Sequence, residues 1–210
     1  MKKPNLFFDF DEFLFSTKDA AIAYIQHRHG VTINLDRYYS SHELVQDVNE
    51  KLEDSKKVDH ATFIDDYGQN FLPSHTWHED VQPMPGMTEV VPRLAEHYSL
   101  HIVTSRQKQT LPVIEKLLEM HVPGCISHIH CVWTKEPSGV FSSVSKREFI
   151  ESTQGENIAF FDDSPVEIQA VADIIPAYLF DPHFLHNEET GVQKRIHSWE
   201  EIGELLLKNL

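Results

Sequence analysis

Residues 5–15 read Asn-Leu-Phe-Phe-Asp-Phe-Asp-Glu-Phe-Leu-Phe, an apolar run that contains two aspartates, Asp9 and Asp11. The run predicts a buried strand whose carboxyl end presents both acids. Two unit charges about 4 Å apart repel by roughly 4 kcal/mol at an effective dielectric constant near 20, so the pair needs a cation or a proton to neutralise it. An Asp-x-Asp pair can also start a turn or cap a helix, and the motif alone leaves both interpretations open.

A second acidic pair follows another apolar run. Residues 158–161 read Ile-Ala-Phe-Phe, and Asp162 and Asp163 come directly after them. Two strands that each end in paired acids predict one shared site, because α/β sheets bind ligands at the carboxyl ends of their strands. Carboxylate oxygens are ligands for hard cations, which indicates a metal-dependent phosphoryl site.

Short apolar runs recur along the chain, and segments with helical periodicity separate them. This alternation predicts an α/β fold, with a Rossmann-like parallel sheet as its core and helices flanking the sheet. The predicted strands cover residues 5–10, 100–104, 128–133, 158–161 and 177–180.

Residues 16–84 differ from the rest of the chain, because they contain helical patterns and no convincing run for the sheet. Pro85 and Gly86 then mark the return to the core. We therefore expect a core domain formed by residues 1–15 and 85–210, and a small helical domain inserted after the first strand. An insertion at that point would place the helical domain over the carboxyl end of the strand.

The composition limits the classes of function. A formal net charge of −15 disfavours binding to a nucleic acid polymer, which needs clustered Lys and Arg. The two cysteines, Cys125 and Cys131, provide neither a disulfide framework nor a four-ligand zinc site. No stretch approaches the about 18 consecutive apolar residues of a membrane helix. We therefore expect a soluble, cytoplasmic protein without a membrane partner.

Two further segments carry groups that suit phosphate. Thr104 ends the second predicted strand and Ser105 and Arg106 follow it, at a position where hydroxyl and N–H groups can hold phosphate oxygens. An ordinary helix cap would explain the two hydroxyls as well. Lys146 opens a predicted helix, and a solvated surface lysine is the alternative interpretation there.

The order of these elements carries a family resemblance. The segments that carry it are residues 8–15 (Phe-Asp-Phe-Asp-Glu-Phe-Leu-Phe), 102–106 (Ile-Val-Thr-Ser-Arg), Lys146 and 160–165 (Phe-Phe-Asp-Asp-Ser-Pro). They resemble the four motifs of the haloacid dehalogenase-like (HAD) superfamily of phosphotransferases, in the same order and over essentially the full chain. The helical insert is similar to the C1-type helical cap of that superfamily.

The resemblance implies a role for each matched residue. Asp9 would be the nucleophile that forms an aspartyl phosphate. Asp11 would protonate the leaving oxygen and later activate the hydrolytic water. Thr104 and Lys146 would bind the oxygens of the transferred phosphoryl group.

The resemblance also implies a bound Mg²⁺. Its ligands would be the carboxylate of Asp9, the backbone carbonyl of Asp11 and the carboxylate of Asp162. Asp163 would be either a further ligand or an acid beside the ligands. Oxygen ligands together with water suit the octahedral coordination of magnesium.

The sequence leaves the substrate open. In C1-capped relatives the cap and the loop after the second motif select the leaving group, so Ser105 and Arg106 are candidate substrate-binding residues. The resemblance implies a small phosphorylated metabolite. The second and fourth motifs look somewhat like those of nucleoside monophosphate phosphatases, and sugar phosphates and phosphoglycolate also stay open.

Three positions leave alternatives. Glycine usually follows the second aspartate of the first motif, and here Glu12 and the bulky Phe13 follow it, which could weaken catalysis. Lys135 rivals Lys146 as the phosphate-binding lysine, and we prefer Lys146 because it opens the helix that leads to the fourth motif.

The leading interpretation is a Mg²⁺-dependent phosphomonoesterase. A phosphomutase and a catalytically weak binding or regulatory module are the alternatives.

Overall fold

The computed structural model describes residues 2–35, 41–135, 141–186 and 194–208. The chain forms two compact units, of which unit 1 comprises Met1–Ser16 and Gln82–Leu210 and unit 2 comprises Thr17–Val81. Within the described ranges, none of the helices has the length and apolar character needed to cross a membrane.

The described residues form nine strands and eight α-helices. The strands are β1 (Asn5–Phe8), β2 (Phe15–Ser16), β3 (Gln82–Pro83), β4 (Ser99–Gln107), β5 (Ile126–Lys135), β6 (Phe141–Ser143), β7 (Asn157–Asp162), β8 (Ala177–Phe180) and β9 (Arg195–Ile196). The helices are α1 (Lys18–His29), α2 (Ser41–Glu50), α3 (His60–Asp66), α4 (Met87–His97), α5 (Leu111–His121), α6 (Lys146–Ser152), α7 (Pro165–Val171) and α8 (Trp199–Leu207).

Unit 1 is built on a seven-stranded sheet with the strand order β6-β5-β4-β1-β7-β8-β9. Neighbouring strands are parallel except for β5 and β6, and β2 and β3 form a separate antiparallel pair. The predicted α/β fold with a parallel sheet is thereby confirmed. Each predicted strand overlaps one strand of this sheet. The sequence did not predict β6 and β9, which are short strands at the two edges.

Helices cover both faces of the sheet. Successive side chains of a strand point to opposite faces, and in β1 Phe7 packs with Ile150 of α6 and Ile168 of α7. The ring of Phe8 lies instead against Trp199 of α8, with 5.7 Å between the ring centroids. All four residues of β1 are buried, which explains why its sequence is a continuous apolar run.

Phe13 belongs to the hydrophobic core of unit 1. Its ring centroid lies 4.9 Å from that of Trp199 and 5.0 Å from that of Phe180, and its side chain is fully buried. The Trp199 indole N–H donates to the Phe13 carbonyl oxygen over 3.0 Å. The bulky residue at position 13 therefore fills the core with its ring.

Unit 2 has a hydrophobic core of its own. Its three α-helices bury Tyr24, Val48 and Phe63, among other apolar side chains. The carboxylate of Asp66 accepts hydrogen bonds from the Tyr24 hydroxyl over 2.7 Å and from the Arg28 guanidinium over 2.9 Å. These contacts tie α1 to α3, so the packing within unit 2 is helix on helix.

His101 predicts a pH dependence of stability. Its ring is partly buried in β4 and stacks on Phe7, with 5.2 Å between the ring centroids, and Nε2 lies 3.1 Å from Asn5 Oδ1. Burial lowers the pKa of His101 to about 4. An unfolded histidine binds a proton at about pH 6.5, so the stability contributed by the neutral ring is complete above that pH and is lost as the pH falls toward about 4.

Urea unfolding of the wild type and of His101→Gln checks this prediction. Glutamine keeps hydrogen-bonding groups but does not titrate, so the variant should lose less stability than the wild type between about pH 7.5 and about pH 5. The carboxylates elsewhere in the fold are the same in both proteins, so their titration changes the stability of both equally and cancels in the comparison. The same loss of stability in both would contradict the prediction.

Candidate active site

The carboxyl ends of β1 and β7 bring the two acidic pairs together. The register aligns Phe8 with Phe161, and the Asp9 N–H donates to the Phe161 carbonyl oxygen over 2.9 Å. Asp9, Asp162 and Asp163 then place carboxylate oxygens within 4.8 Å of one another. Asp9 and Asp162 are buried. Three of the predicted site residues therefore form one cluster, which we call the acidic cluster.

Lys146 contacts two members of the acidic cluster. Its Nζ donates to Asp9 Oδ1 over 2.7 Å and to Asp162 Oδ2 over 2.6 Å, and its side chain is only 3% exposed. Lys146 is the first residue of α6, and a capping box fixes the start of that helix. The Ser145 hydroxyl accepts from the Glu148 N–H, and the Glu148 carboxylate accepts from the Ser145 N–H. The start of α6 therefore directs the lysine to the acids.

The alternative interpretation of Lys146 as a solvated surface lysine is wrong, because the side chain is buried in two ion pairs. The side chain of its rival, Lys135, lies outside the described residues. The Ser-x-x-Glu spacing of Ser145 and Glu148 is a recognisable sequence signal for the helix start that places Lys146.

The second motif lies within a strand. Thr104 and Ser105 belong to β4, which continues to Gln107 with a shift in its pairing to β5. The predicted strand, which ended at residue 104, is therefore three residues too short at its carboxyl end. The alternative that these hydroxyls cap a helix is also wrong, because the next α-helix begins at Leu111. Thr104 is buried and its hydroxyl accepts from the Arg106 N–H over 3.2 Å, whereas Ser105 is exposed.

Arg106 forms an ion pair with Asp11. Nε donates to Asp11 Oδ2 over 2.9 Å, and Nη2 donates to Asp11 Oδ1 over 2.7 Å. The guanidinium carbon also lies 4.9 Å from the centroid of the Phe10 ring. The predicted acid–base residue and a predicted substrate-binding residue are thus bound to each other. Nothing in the sequence indicates this pairing, because 95 positions separate the two residues.

Burial and mutual repulsion raise the pKa values of the acidic cluster. The pKa of Asp9 is raised to about 7, chiefly by burial and also by the charges of Asp162 and Asp11, although Lys146 opposes the shift. Burial also raises the pKa values of Asp162 and Asp163, and the Asp162 charge adds to the effect on Asp163. Burial alone would lower the pKa of Lys146, but the Asp162 and Asp9 charges outweigh it and raise that pKa.

The acidic cluster fits a hard divalent cation. Its carboxylates supply the oxygen ligands that Mg²⁺ prefers, and their oxygens are close enough to share one ion. A cation at this point would also offset the repulsion that raises the pKa values of Asp9 and Asp163. The Asp11 carboxylate is bound by Arg106 and is not a member of the cluster. Asp9, Asp162 and Asp163 are therefore the side chains that could hold Mg²⁺.

Glu12 adds a further acid near the cluster. Its φ of +53° lies in the left-handed region that favours glycine, and its N–H donates to the Phe15 carbonyl oxygen over 2.8 Å. The Glu12 charge also contributes to the raised pKa of Asp163. Glutamate at this position therefore brings both backbone strain and negative charge.

The family model of haloacid dehalogenase-like hydrolases matches residues 6–173. The chain belongs to this family. The resemblance that the four motifs carry is thereby confirmed at the level of the HAD family. No curated protein matches the chain significantly.

Solved structures share the HAD fold along almost the whole chain. The HAD hydrolase YfnB from Bacillus subtilis, in a magnesium-bound form, is 16% identical with a TM-score of 0.62, and the match covers 99% of this chain and 100% of YfnB. A predicted phosphoglycolate phosphatase from Haemophilus somnus is 14% identical with a TM-score of 0.63, over 100% of this chain and 98% of its own. A predicted phosphatase from Clostridium acetobutylicum is 13% identical with a TM-score of 0.64, and the match covers 99% of this chain and 100% of the phosphatase. At these identities the likeness establishes the fold.

Proposed function

We propose that this HAD-family protein is a Mg²⁺-dependent phosphomonoester hydrolase that acts through an aspartyl phosphate. The observation that carries the proposal is the acidic cluster of Asp9, Asp162 and Asp163 with the buried Lys146 bound to two of its members. Three carboxylates, two of them buried, and one lysine leave negative charge that a divalent cation would neutralise. Two of the structural neighbours are predicted phosphatases, which supports phosphate ester hydrolysis as the reaction class.

Asp9 is the proposed nucleophile because it follows the central strand and belongs to the cluster. A carboxylate oxygen of Asp9 attacks phosphorus, and the bond from phosphorus to the leaving oxygen breaks. The leaving oxygen keeps the electron pair and takes a proton from Asp11. In the second step Asp11 accepts a proton from a water molecule that attacks phosphorus, and the bond from phosphorus to Asp9 breaks. The products are an alcohol and inorganic phosphate.

Lys146 and Thr104 are the proposed ligands of the phosphoryl oxygens. Lys146 carries its charge beside Asp9, where negative charge spreads over the equatorial oxygens in the transition state. Thr104 lies in β4, the strand next to β1, and offers a hydroxyl. A Mg²⁺ held by Asp9, Asp162 and Asp163 would supply further positive charge to the phosphoryl group.

The proposed substrate is a small phosphorylated metabolite, with nucleoside monophosphates, sugar phosphates and phosphoglycolate as the classes to test. We also propose that unit 2 is the C1-type helical cap of the family, since it is a compact helical unit inserted after the first motif. The backbone carbonyl of Asp11 stays a proposed metal ligand.

Hydrolysis of 4-nitrophenyl phosphate and of a panel of phosphorylated metabolites tests the proposal. The purified protein should release phosphate with Mg²⁺ present and should stop when a chelator removes the ion. No turnover of any compound with Mg²⁺ present would overturn the enzyme assignment and leave a binding or regulatory module. Isomerised product without free phosphate would favour a phosphomutase.

Mg²⁺ should also stabilise the folded protein. An ion that binds only the folded state stabilises it by about 2.7 kcal/mol at 100 times its dissociation constant. Thermal unfolding with increasing Mg²⁺ measures the effect, and Asp162→Asn should reduce it because the variant loses one charged oxygen ligand. Asp65→Asn, which changes an exposed carboxylate of unit 2, is the matched control. Equal stabilisation of the wild type and Asp162→Asn would contradict the proposed ion site.

A further inference from the structure

The ion pair of Arg106 and Asp11 joins two residues beside the acidic cluster. Both oxygens of the Asp11 carboxylate accept hydrogen bonds from one guanidinium, in the two-point geometry that is typical of strong Arg–carboxylate pairs. The Arg106 side chain is 2% exposed, whereas the Asp11 side chain is 34% exposed. The Asp11 carboxylate is therefore partly accessible to solvent, while the Arg106 guanidinium that binds it is buried.

Arg106 is itself held in place. Its backbone N–H donates to the Thr104 hydroxyl, and its guanidinium lies 4.9 Å from the centroid of the Phe10 ring. Phe10 lies between the two aspartates of the first motif, and its ring is fully buried. A guanidinium fixed on a buried ring can define the position of its partner better than a flexible lysine could.

The burial of Arg106 also argues against the expectation that it binds the substrate. A side chain that is 2% exposed offers little surface to a leaving group, and two of its donors already bind Asp11. The Asp11 carboxylate that Arg106 binds is not a member of the acidic cluster, which consists of Asp9, Asp162 and Asp163.

We propose that Arg106 is a positioning residue that holds the Asp11 carboxylate as the proton acceptor for hydrolysis of the aspartyl phosphate. This inference rests on the proposed function and assigns Arg106 to its second step. Once Asp11 has given its proton to the leaving oxygen in the first step, both oxygens of its carboxylate can accept from the guanidinium, which does not lose its proton in proteins, and the carboxylate can accept a proton in the second step. In that step the attacking water gives one proton to Asp11, its oxygen bonds to phosphorus, and the bond from phosphorus to Asp9 breaks. Arg106 acts in this step only through the Asp11 carboxylate that it holds.

The test is pre-steady-state hydrolysis of 4-nitrophenyl phosphate by the wild type, Arg106→Gln and Arg106→Lys with Mg²⁺ present. The 4-nitrophenolate group leaves readily without a proton, so the first step reports little on Asp11. Arg106→Gln should give a burst of 4-nitrophenolate followed by a steady rate lowered by about 10²-fold, the lower end of what a positioned acid–base group contributes. Intact-mass measurement during turnover should find the accumulated phosphoenzyme.

Three comparisons separate this role from a structural one. Arg106→Lys keeps the charge but not the two-point geometry, and should recover part of the second-step rate. Asp11→Asn should give the same burst, and adding Arg106→Gln to it should slow the second step no further. Arg93→Gln, which changes an exposed arginine of α4, should behave as the wild type.

Two kinetic results would overturn the inference. A raised KM with an unchanged steady rate would make Arg106 a substrate-binding residue, and an equal loss in both steps would make its role structural. Crystal structures of the wild type and Arg106→Gln test the positioning role without any turnover. The Asp11 carboxylate should change position in the variant, and an unmoved carboxylate would also overturn the inference. Failure of the wild type to hydrolyse any phosphate ester would count against the proposed function instead.

Discussion

Asp9→Asn should abolish phosphatase turnover while leaving the fold intact. The amide is a poor nucleophile and cannot form the aspartyl phosphate, so kcat should fall by about 10⁴-fold or more, the scale found when an enzyme loses its covalent nucleophile. The substitution changes little in shape, and Lys146 keeps its contact with Asp162 over 2.6 Å. The variant also removes a buried acid whose pKa is raised to about 7, so it should fold at least as well as the wild type near neutral pH.

Steady-state hydrolysis of 4-nitrophenyl phosphate, intact-mass detection of the phosphoenzyme and thermal unfolding together check this prediction. The wild type should gain the mass of one phosphoryl group during turnover, and Asp9→Asn should not. Asp65→Asn serves again as a control that changes an exposed carboxylate. A folded Asp9→Asn protein that still becomes phosphorylated would exclude Asp9 as the nucleophile.

The core fold could be predicted from the sequence because its central strands are buried on both faces. β1 and β7 read as continuous apolar runs for that reason, and the acids after them mark their carboxyl ends. β6 and β9 were not predicted because edge strands of two or three residues carry too little apolar pattern to distinguish them from loops.

The site could be predicted only where residues lie next to a recognisable strand or helix start. Asp9 and Asp162 follow such strands, and Lys146 follows the helix cap at Ser145. The ion pair of Arg106 and Asp11 depends on how β4 continues past Thr104. Tertiary packing determines that path, so the local sequence contains no signal for the ion pair. A buried arginine and an exposed one look the same in a sequence.

Lys146→Met should be the most destabilising of the proposed substitutions. The lysine is 3% exposed and bonds to Asp9 and Asp162, so its loss leaves two buried carboxylates without their cation. Breaking a buried ion pair from one side costs about 3–5 kcal/mol. Turnover should also fall by about 10²-fold or more, since the phosphoryl group loses a charged ligand in the transition state.

The cost of Lys146→Met should grow with pH. Lys146 lowers the raised pKa values of Asp9 and Asp162, so without it both acids hold their protons to a higher pH in the folded state. The folded state then binds more protons than the unfolded chain, whose aspartates titrate at about pH 4. Stability therefore falls as the pH rises from about 4 through the pKa values of the folded state. Urea unfolding with a chelator present, at about pH 5 and about pH 8, measures the difference.

Arg147→Met is the matched control on the same helix. Arg147 forms ion pairs with Glu151 and Asp173 at the surface, where solvent screens them and they contribute little to stability. A pH-independent loss that is equal in Lys146→Met and Arg147→Met would show that the lysine does not neutralise the acids.

Mg²⁺ should restore part of the stability of Lys146→Met, because an ion bound by the acidic cluster replaces the missing positive charge. Restoration that also requires an intact Asp162 would place the ion and the lysine in competition for the same two carboxylates, Asp9 and Asp162.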